Sequence, residues 1–180
     1  ENIVALPIDF ETPITVGDFD GAIGARVANP VPGGINTSAF VGQLTRPVGV
    51  GQFAGSRITL SSPIDFSTNS ILSMKVYCTQ PIGHPILVKF EGGTPIEVLS
   101  QTTKSGEWEV LNFDFTGLVG GTNNQMLFMF NFGNNGNGEV YYFDDIQLTD
   151  GTDPTDPDPD PDPDPEPGVS IENNELSNYI

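Results

Sequence analysis

Four carboxylates near the two ends of the folding part of this chain have the chemistry to hold a divalent cation. Asp9 and Glu11 flank Phe10 near the start, and Asp144 and Asp145 sit side by side in YYFDDIQL near the close. Ca²⁺ takes about 6–8 oxygens, mostly carboxylates supplemented by backbone carbonyls. The loop Asn29–Ser38 (NPVPGGINTS), with its paired glycines, can add carbonyls and Ser38. The alternative is that these acids cap strand ends or face water. Adjacent Asp144 and Asp145 inside an apolar run weigh against it, because alternation turns one of them toward the packed side. A buried carboxylate needs a cation or several donors. The reading is a structural Ca²⁺ drawing on Glu11, Asp144, Asp9, Asp145 and Ser38.

A second chemistry is sugar recognition. Aromatic rings lie against the apolar faces of pyranoses while amides and charged groups read the hydroxyls, so the side chains to look for are half-polar and outward-facing. Trp108, Tyr77, Arg57, Lys75 and Asn131 fit, with Phe53 and Gln80 from loops. Each also has a plainer reading, packing for Trp108 and Tyr77 and solvation for the rest.

Catalysis finds no support. There is no nucleophile elbow, no HExxH and no Cys or His cluster able to hold zinc. His84 sits between Gly83 and Pro85 in a turn signal, a poor place for the base of a triad. Glu107 and Glu109 point to one side of a strand, as a pair of glycosidase carboxylates would, but a solvated strand face reads the same way.

The elements that must position these residues are strands. Short alternating runs recur between glycine and asparagine turns. Met74, Val76 and Cys78 oppose Lys75 and Tyr77; Ile86, Val88 and Phe90 oppose Leu87 and Lys89; Leu111, Phe113 and Phe115 oppose Trp108, Val110 and Asn112. Arg57–Ser61 and Val140–Leu148 read as two more. Met126, Phe128, Phe130 and Phe132 share one face, yet the other face is apolar too, so this run is covered twice or borders a groove. About eight strands in residues 1–149 fit an all-β, two-sheet sandwich of jelly-roll type.

The chain of 180 residues carries 24 acids against 6 bases, a net charge of −18. Residues 1–149 hold 14 acids and all 6 bases, for −8, and the remaining ten acids follow. With no basic patch, nucleic acid and anionic membrane surfaces are excluded as partners. No apolar run reaches the length of a spanning helix, which excludes membrane insertion by that route. Lone Cys78 cannot form an internal disulfide. Residues 150–167 are an Asp-Pro-rich linker in which Asp153–Pro167 alternates acid and proline almost throughout, an extended spacer of about 50 Å, or alternatively a weak Ca²⁺-binding strip. Residues 168–180 (GVSIENNELSNYI) are too short to fold alone, and the start at Glu1 rather than Met reads as a piece of a longer protein.

LPIDFE (6–11), the NP…GG.NTS..VG stretch (29–42), LSSPIDFS (60–67), MKVYC (74–78), LVKFE (87–91), GEWEVLNFDFTG (106–117) and YYFDDIQL (141–148) together resemble a non-catalytic jelly-roll carbohydrate-binding module. The likeness is to the family 4/9/16-type modules, galactose-binding-like in fold, of secreted polysaccharide-degrading proteins of Bacteroidetes. It implies a Ca²⁺ held by Glu11 and Asp144, and a glycan groove on the concave sheet or its edge loops. It also implies polysaccharide as partner, with covalently linked neighbouring domains. The charge of −8 favours a neutral chain such as laminarin-type β-1,3-glucan or mixed-linkage glucan over alginate or sulfated chains. The chain departs from such modules in being poor in exposed Trp, and its one tryptophan, Trp108, occupies a position that in them often belongs to the scaffold. SIENNELSNYI resembles the lead-in to a type IX secretion sorting domain, which implies a secreted or cell-surface protein. The competing reading is a structural or adhesion spacer that binds no glycan.

Overall fold

Apolar–polar alternation becomes strand at each of the six runs named above, and four further segments join them. The structure, a computed structural model, describes residues 3–151. The Asp-Pro spacer from residue 152 onward and the 168–180 fragment lie outside the described residues. The ten strands are β1 (Gly17–Phe19), β2 (Ile23–Ala28), β3 (Phe40–Arg46), β4 (Gly55–Thr59), β5 (Ile71–Cys78), β6 (Pro85–Glu91), β7 (Ile96–Gln101), β8 (Trp108–Asp114), β9 (Gln125–Phe130) and β10 (Glu139–Thr149). Among the described residues no helix is long and apolar enough to cross a membrane.

They form two five-stranded antiparallel sheets, in the orders β1-β4-β9-β6-β7 and β2-β3-β10-β5-β8. The all-β sandwich is therefore as expected, with more strands than the sequence disclosed. β9 and β10 occupy the central places and name the sheets below. Strand β3 (FVGQLTR) escapes the alternation rule because covered residues fall on both of its faces.

The core lies between the sheets and is rich in aromatic rings. Phe128 and Phe130 of β9 meet Phe143 and Tyr141 of β10 at ring-centroid distances of 5.1 Å and 4.8 Å. At one end Phe66 stacks on Phe115 at 4.8 Å, and Phe90 meets Phe115 edge-on at 5.3 Å. Burying each such side chain contributes roughly 1.5–3 kcal/mol. Gly42 of β3 is set by the same packing: a Cβ there would come within 2.6 Å of the Phe143 ring and 2.7 Å of the Phe10 ring.

The two ends of the folded part meet. Ile8 and Ile146 exchange backbone hydrogen bonds of 2.9 Å in an isolated antiparallel bridge. A β-bulge between Asp144 and Gln147 makes this possible, because it takes Ile146 out of register with β5. Asp145 at the bulge has φ of 47°, a left-handed conformation that Asp tolerates better than most residues. Asp9–Glu11 therefore follow a single bridge instead of lying on a first strand.

Phe128 has no exposure, and its ring is part of the β9–β10 interlock. Phe128→Ala should lower unfolding free energy by about 3–5 kcal/mol in urea titrations. A loss under ~1 kcal/mol would mean that the two sheets are not locked there.

Candidate functional site

The outward face of the β9 sheet is a groove, and strand register dictates its composition. One row runs Gly17, Arg57, Leu127, Lys89, Glu97 across β1, β4, β9, β6 and β7. The next row places Phe19 opposite Gly55, with Met129, Leu87 and Leu99 following on β9, β6 and β7. On the other side of the charged row, Thr59, Gln125 and Glu91 pair across β4, β9 and β6. An apolar stripe thus runs beside a polar one.

Gly55 is part of the floor. A Cβ there would lie 2.7 Å from the Phe19 ring and 3.0 Å from Met129, so its absence lets the Phe19 ring approach the strand closely. Phe53 and Phe132 stand at the rim with ring centroids 5.8 Å apart, and Phe53 is 52 % exposed. The cavity holds about 490 Å³ and is lined by Phe19, Asp20, Phe53, Arg57, Leu87, Lys89, Glu91, Glu97, Gln125, Leu127, Met129 and Phe132. Its charge is nearly balanced, two bases against three acids. Lys89 Nζ lies 2.8 Å from Glu91 Oε1 and 4.0 Å from Glu97 Oε2. Such a surface offers rings and methylenes to one face of a flat ligand, and donors and acceptors to its edge.

Of the seven sugar-contact candidates, Arg57 and Phe53 reach this groove. The other five are placed elsewhere, Gln80 just beyond the end of β5. Trp108, Tyr77 and Lys75 belong to the β10 sheet. Trp108 is only 6 % exposed, its indole N–H donates to the Val31 carbonyl at 2.8 Å, and its ring packs against Tyr77 at 5.6 Å. Lys75 Nζ binds Asp145 Oδ2 at 2.6 Å. Asn131 is buried, donating through Nδ2 to Glu139 Oε1 at 2.7 Å and accepting at Oδ1 from Asn134 Nδ2 at 2.9 Å. The physical reason is simple. Alternation tells which residues face outward, but not from which of two sheets. The groove residues not expected as sugar contacts include Phe19, Lys89, Gln125, Leu127, Met129 and Phe132; for Leu127 and Met129 the signal was the doubly apolar run on β9, and Phe132 leaves the face of Phe128 and Phe130 because β9 ends at Phe130 and Asn131 turns with φ of 53°.

A second constellation gathers on the β10 sheet. Asp144 has no exposure, and burial pushes its carboxyl up to about 6. Its partners are neutral donors: the Asn36 amide at 2.9 Å, the Asp145 N–H at 2.8 Å and the Ser38 hydroxyl. Glu11 Oε1 accepts from the N–H groups of Ala39 at 2.8 Å and Phe40 at 3.2 Å. Glu11 and Asp144 therefore grip neighbouring parts of one loop. Asp9 Oδ1 accepts from the Glu11 N–H at 3.1 Å, and Asp145 Oδ2 pairs with Lys75 Nζ at 2.6 Å. Among the described residues no three of His, Cys, Asp and Glu converge as a metal cluster. Glu11, Asp144 and the Ser38 and Asn36 oxygens are the hard donors that fit Ca²⁺ in kind, and a buried carboxylate held only by neutral donors is the observation that leaves a place for positive charge.

The Asp144 shift has a sign that can be tested. Its folded-state pKa lies above the ordinary aspartate value, so between about pH 4 and pH 6 the folded protein keeps a proton that the unfolded chain has lost. In chelator, stability should fall across that window as pH rises, by up to about 3 kcal/mol. Urea titrations of Asp144→Asn should lack this component; equal pH slopes for the two proteins would contradict the assignment.

No protein-family model and no curated protein matches the sequence. Solved structures do. The family 11 carbohydrate-binding module of a cellulosomal cellulase from Clostridium thermocellum superposes with a TM-score of 0.56 at 14 % identity, covering 82 % of this chain and 95 % of that one. The same family's module from that organism, in complex with a β-1,3-1,4-mixed-linked tetrasaccharide, gives 0.54 at 14 % identity, covering 78 % and 91 %. The CBM22-1 xylan-binding domain from Paenibacillus barcinonensis gives 0.53 at 13 % identity, covering 82 % and 96 %. At these identities the likeness is one of fold: the chain has the two-sheet sandwich of jelly-roll carbohydrate-binding modules.

Proposed function

We propose that this chain is a non-catalytic carbohydrate-binding module that holds a polysaccharide segment in the groove of the β9 sheet. The observation that carries the reading is an apolar row (Phe19, Met129, Leu87, Leu99) lying beside a mainly charged row (Arg57, Lys89 and Glu97 around Leu127), with Gln125 and Glu91 in the row beyond, across one face. Pyranose rings have that same division between apolar faces and hydroxyl edges. The near balance of two bases and three acids in the groove favours a neutral glycan over a polyanion. A laminarin-type or mixed-linkage β-glucan is the proposed ligand.

Ca²⁺ is proposed as a structural ion held by Asp144, Glu11 and Ser38, with Asn36 beside them. It would supply the charge that buried Asp144 lacks and tie the start of the chain to β10. The module is read as extracellular, linked to neighbouring domains that it concentrates on a polysaccharide. Tethering raises the local concentration of such a neighbour without any new catalytic contact.

The alternative, a spacer or adhesion domain without glycan binding, draws on one observation: Trp108 is buried against Val31 and Tyr77. Phe19, Phe53 and Phe132 in the groove weigh the other way. Affinity gels and calorimetry on laminarin, mixed-linkage glucan, xylan, agarose and alginate decide. Retention on a neutral β-glucan is expected, weakened about tenfold by Phe53→Ala. No retention on any of the five would leave the spacer reading.

Calcium is tested separately. Saturating Ca²⁺ should raise the melting temperature by about 5–10 °C over chelator by mass action. Glu11→Gln should lose most of that difference, and identical melting curves for the wild-type protein would remove the ion.

A further inference from the structure

Strand β3 ends on Arg46 and β10 begins at Glu139 directly opposite it. Arg46 has no exposure, and the carboxylate of Glu139 across the strand pair partly offsets the effect of burial on its charge. Its guanidinium donates to backbone carbonyls: through Nη2 to Gly51 at 2.9 Å and Asn134 at 2.6 Å, and through Nη1 to Asn131 at 3.1 Å and to Phe130. Glu139 completes the knot, accepting from Asn131 Nδ2 at 2.7 Å and from the Asn137 N–H at 2.6 Å.

Two loops converge on this one side chain, residues 47–54 and 131–138. They also bond directly, with Gly136 N–H to Val50 O at 2.8 Å, Gly49 N–H to Gly136 O at 2.9 Å and Gly133 N–H to Gln52 O at 3.2 Å. The first loop carries Phe53 and the second Phe132, the facing rings at the groove rim. Only arginine offers a rigid planar fork of five N–H donors able to fix several carbonyls at once. Desolvating a guanidinium costs free energy that an aliphatic residue at this place would spare. What the fork fixes is the loop geometry, and that geometry sets where the aromatic rim stands.

We infer that Arg46 is a positioning residue for glycan binding, holding Phe53 and Phe132 in register at the groove rim; the inference rests on the groove being the sugar site. Arg46 touches no ligand. It acts through the two loops.

The experiment compares wild-type protein, Arg46→Lys, Phe53→Ala and the double variant. Backbone amide exchange is measured without ligand, and affinity by calorimetry with a laminarin hexasaccharide. Arg46→Lys should lose exchange protection in 47–54 and 131–138 while the strands stay protected, and should bind about tenfold more weakly. In the Phe53→Ala background it should cost much less, because the ring it positions is gone. Loss of protection spread over all strands, unchanged affinity, or full additivity would each overturn the inference. Should Arg46→Lys not fold, Glu139→Gln loosens the same knot and carries the same expectations. If wild-type protein binds no member of the glycan panel, it is the groove reading that has failed, and this inference falls with it; wild-type binding with an unaffected Arg46→Lys fails the inference alone.

Discussion

Five consecutive apolar side chains on β9, Met126 to Phe130, leave that strand no face that water can cover well. Its inward residues are absorbed by the core, where Phe128 and Phe130 meet Phe143 and Tyr141 of the opposite sheet. Its outward residues, Leu127 and Met129, are 8 % and 5 % exposed although no further sheet or helix among the described residues lies over them. Neighbouring strands and rim loops close around them instead, with Phe19, Phe53 and Phe132 as walls and Arg57 and Lys89 along the polar side. A concave, partly apolar face follows from the composition of this one central strand. The remaining architecture keeps it open and in place.

At the back of the molecule the constraint is charge. The β10 bulge lets Ile146 pair with Ile8, gives Asp145 to Lys75, and leaves Asp144 enclosed under the loop of residues 29–38. Trp108 latches the same loop through Val31. The sole tryptophan thus serves the closure of the β10 sheet, and the groove is built from phenylalanine and aliphatic side chains. The closure at Asp144 and the proposed recognition face sit on opposite sheets.

Much of this was legible in the residues. Alternation located β4, β5, β6, β8, β9 and β10, and the doubly apolar run at 126–132 was readable either as a strand covered twice or as the border of a groove. The meeting of the chain's start with its close was expected from the acids at both ends, and Ile8 with Ile146 realises it. The assignment of outward residues to a sheet was not legible. Tyr77 and Arg57 look alike in local pattern, yet strand order sends them to opposite sides of the sandwich. Trp108 is covered by a loop 77 positions away, a contact that no local window contains. Nothing in the sequence marks Arg46, because its partners are loop carbonyls that carry no signature there.

The central claim is that glycan lies against the β9 sheet. Residue-by-residue NMR titration of the Ca²⁺-supplemented protein with a β-glucan oligosaccharide tests it most directly. The account predicts amide shifts clustered at Phe53, Arg57, Leu127, Met129 and Phe132, with Trp108 and Tyr77 silent. Shifts centred on Trp108, Tyr77 and Lys75, or none at millimolar ligand, would contradict it.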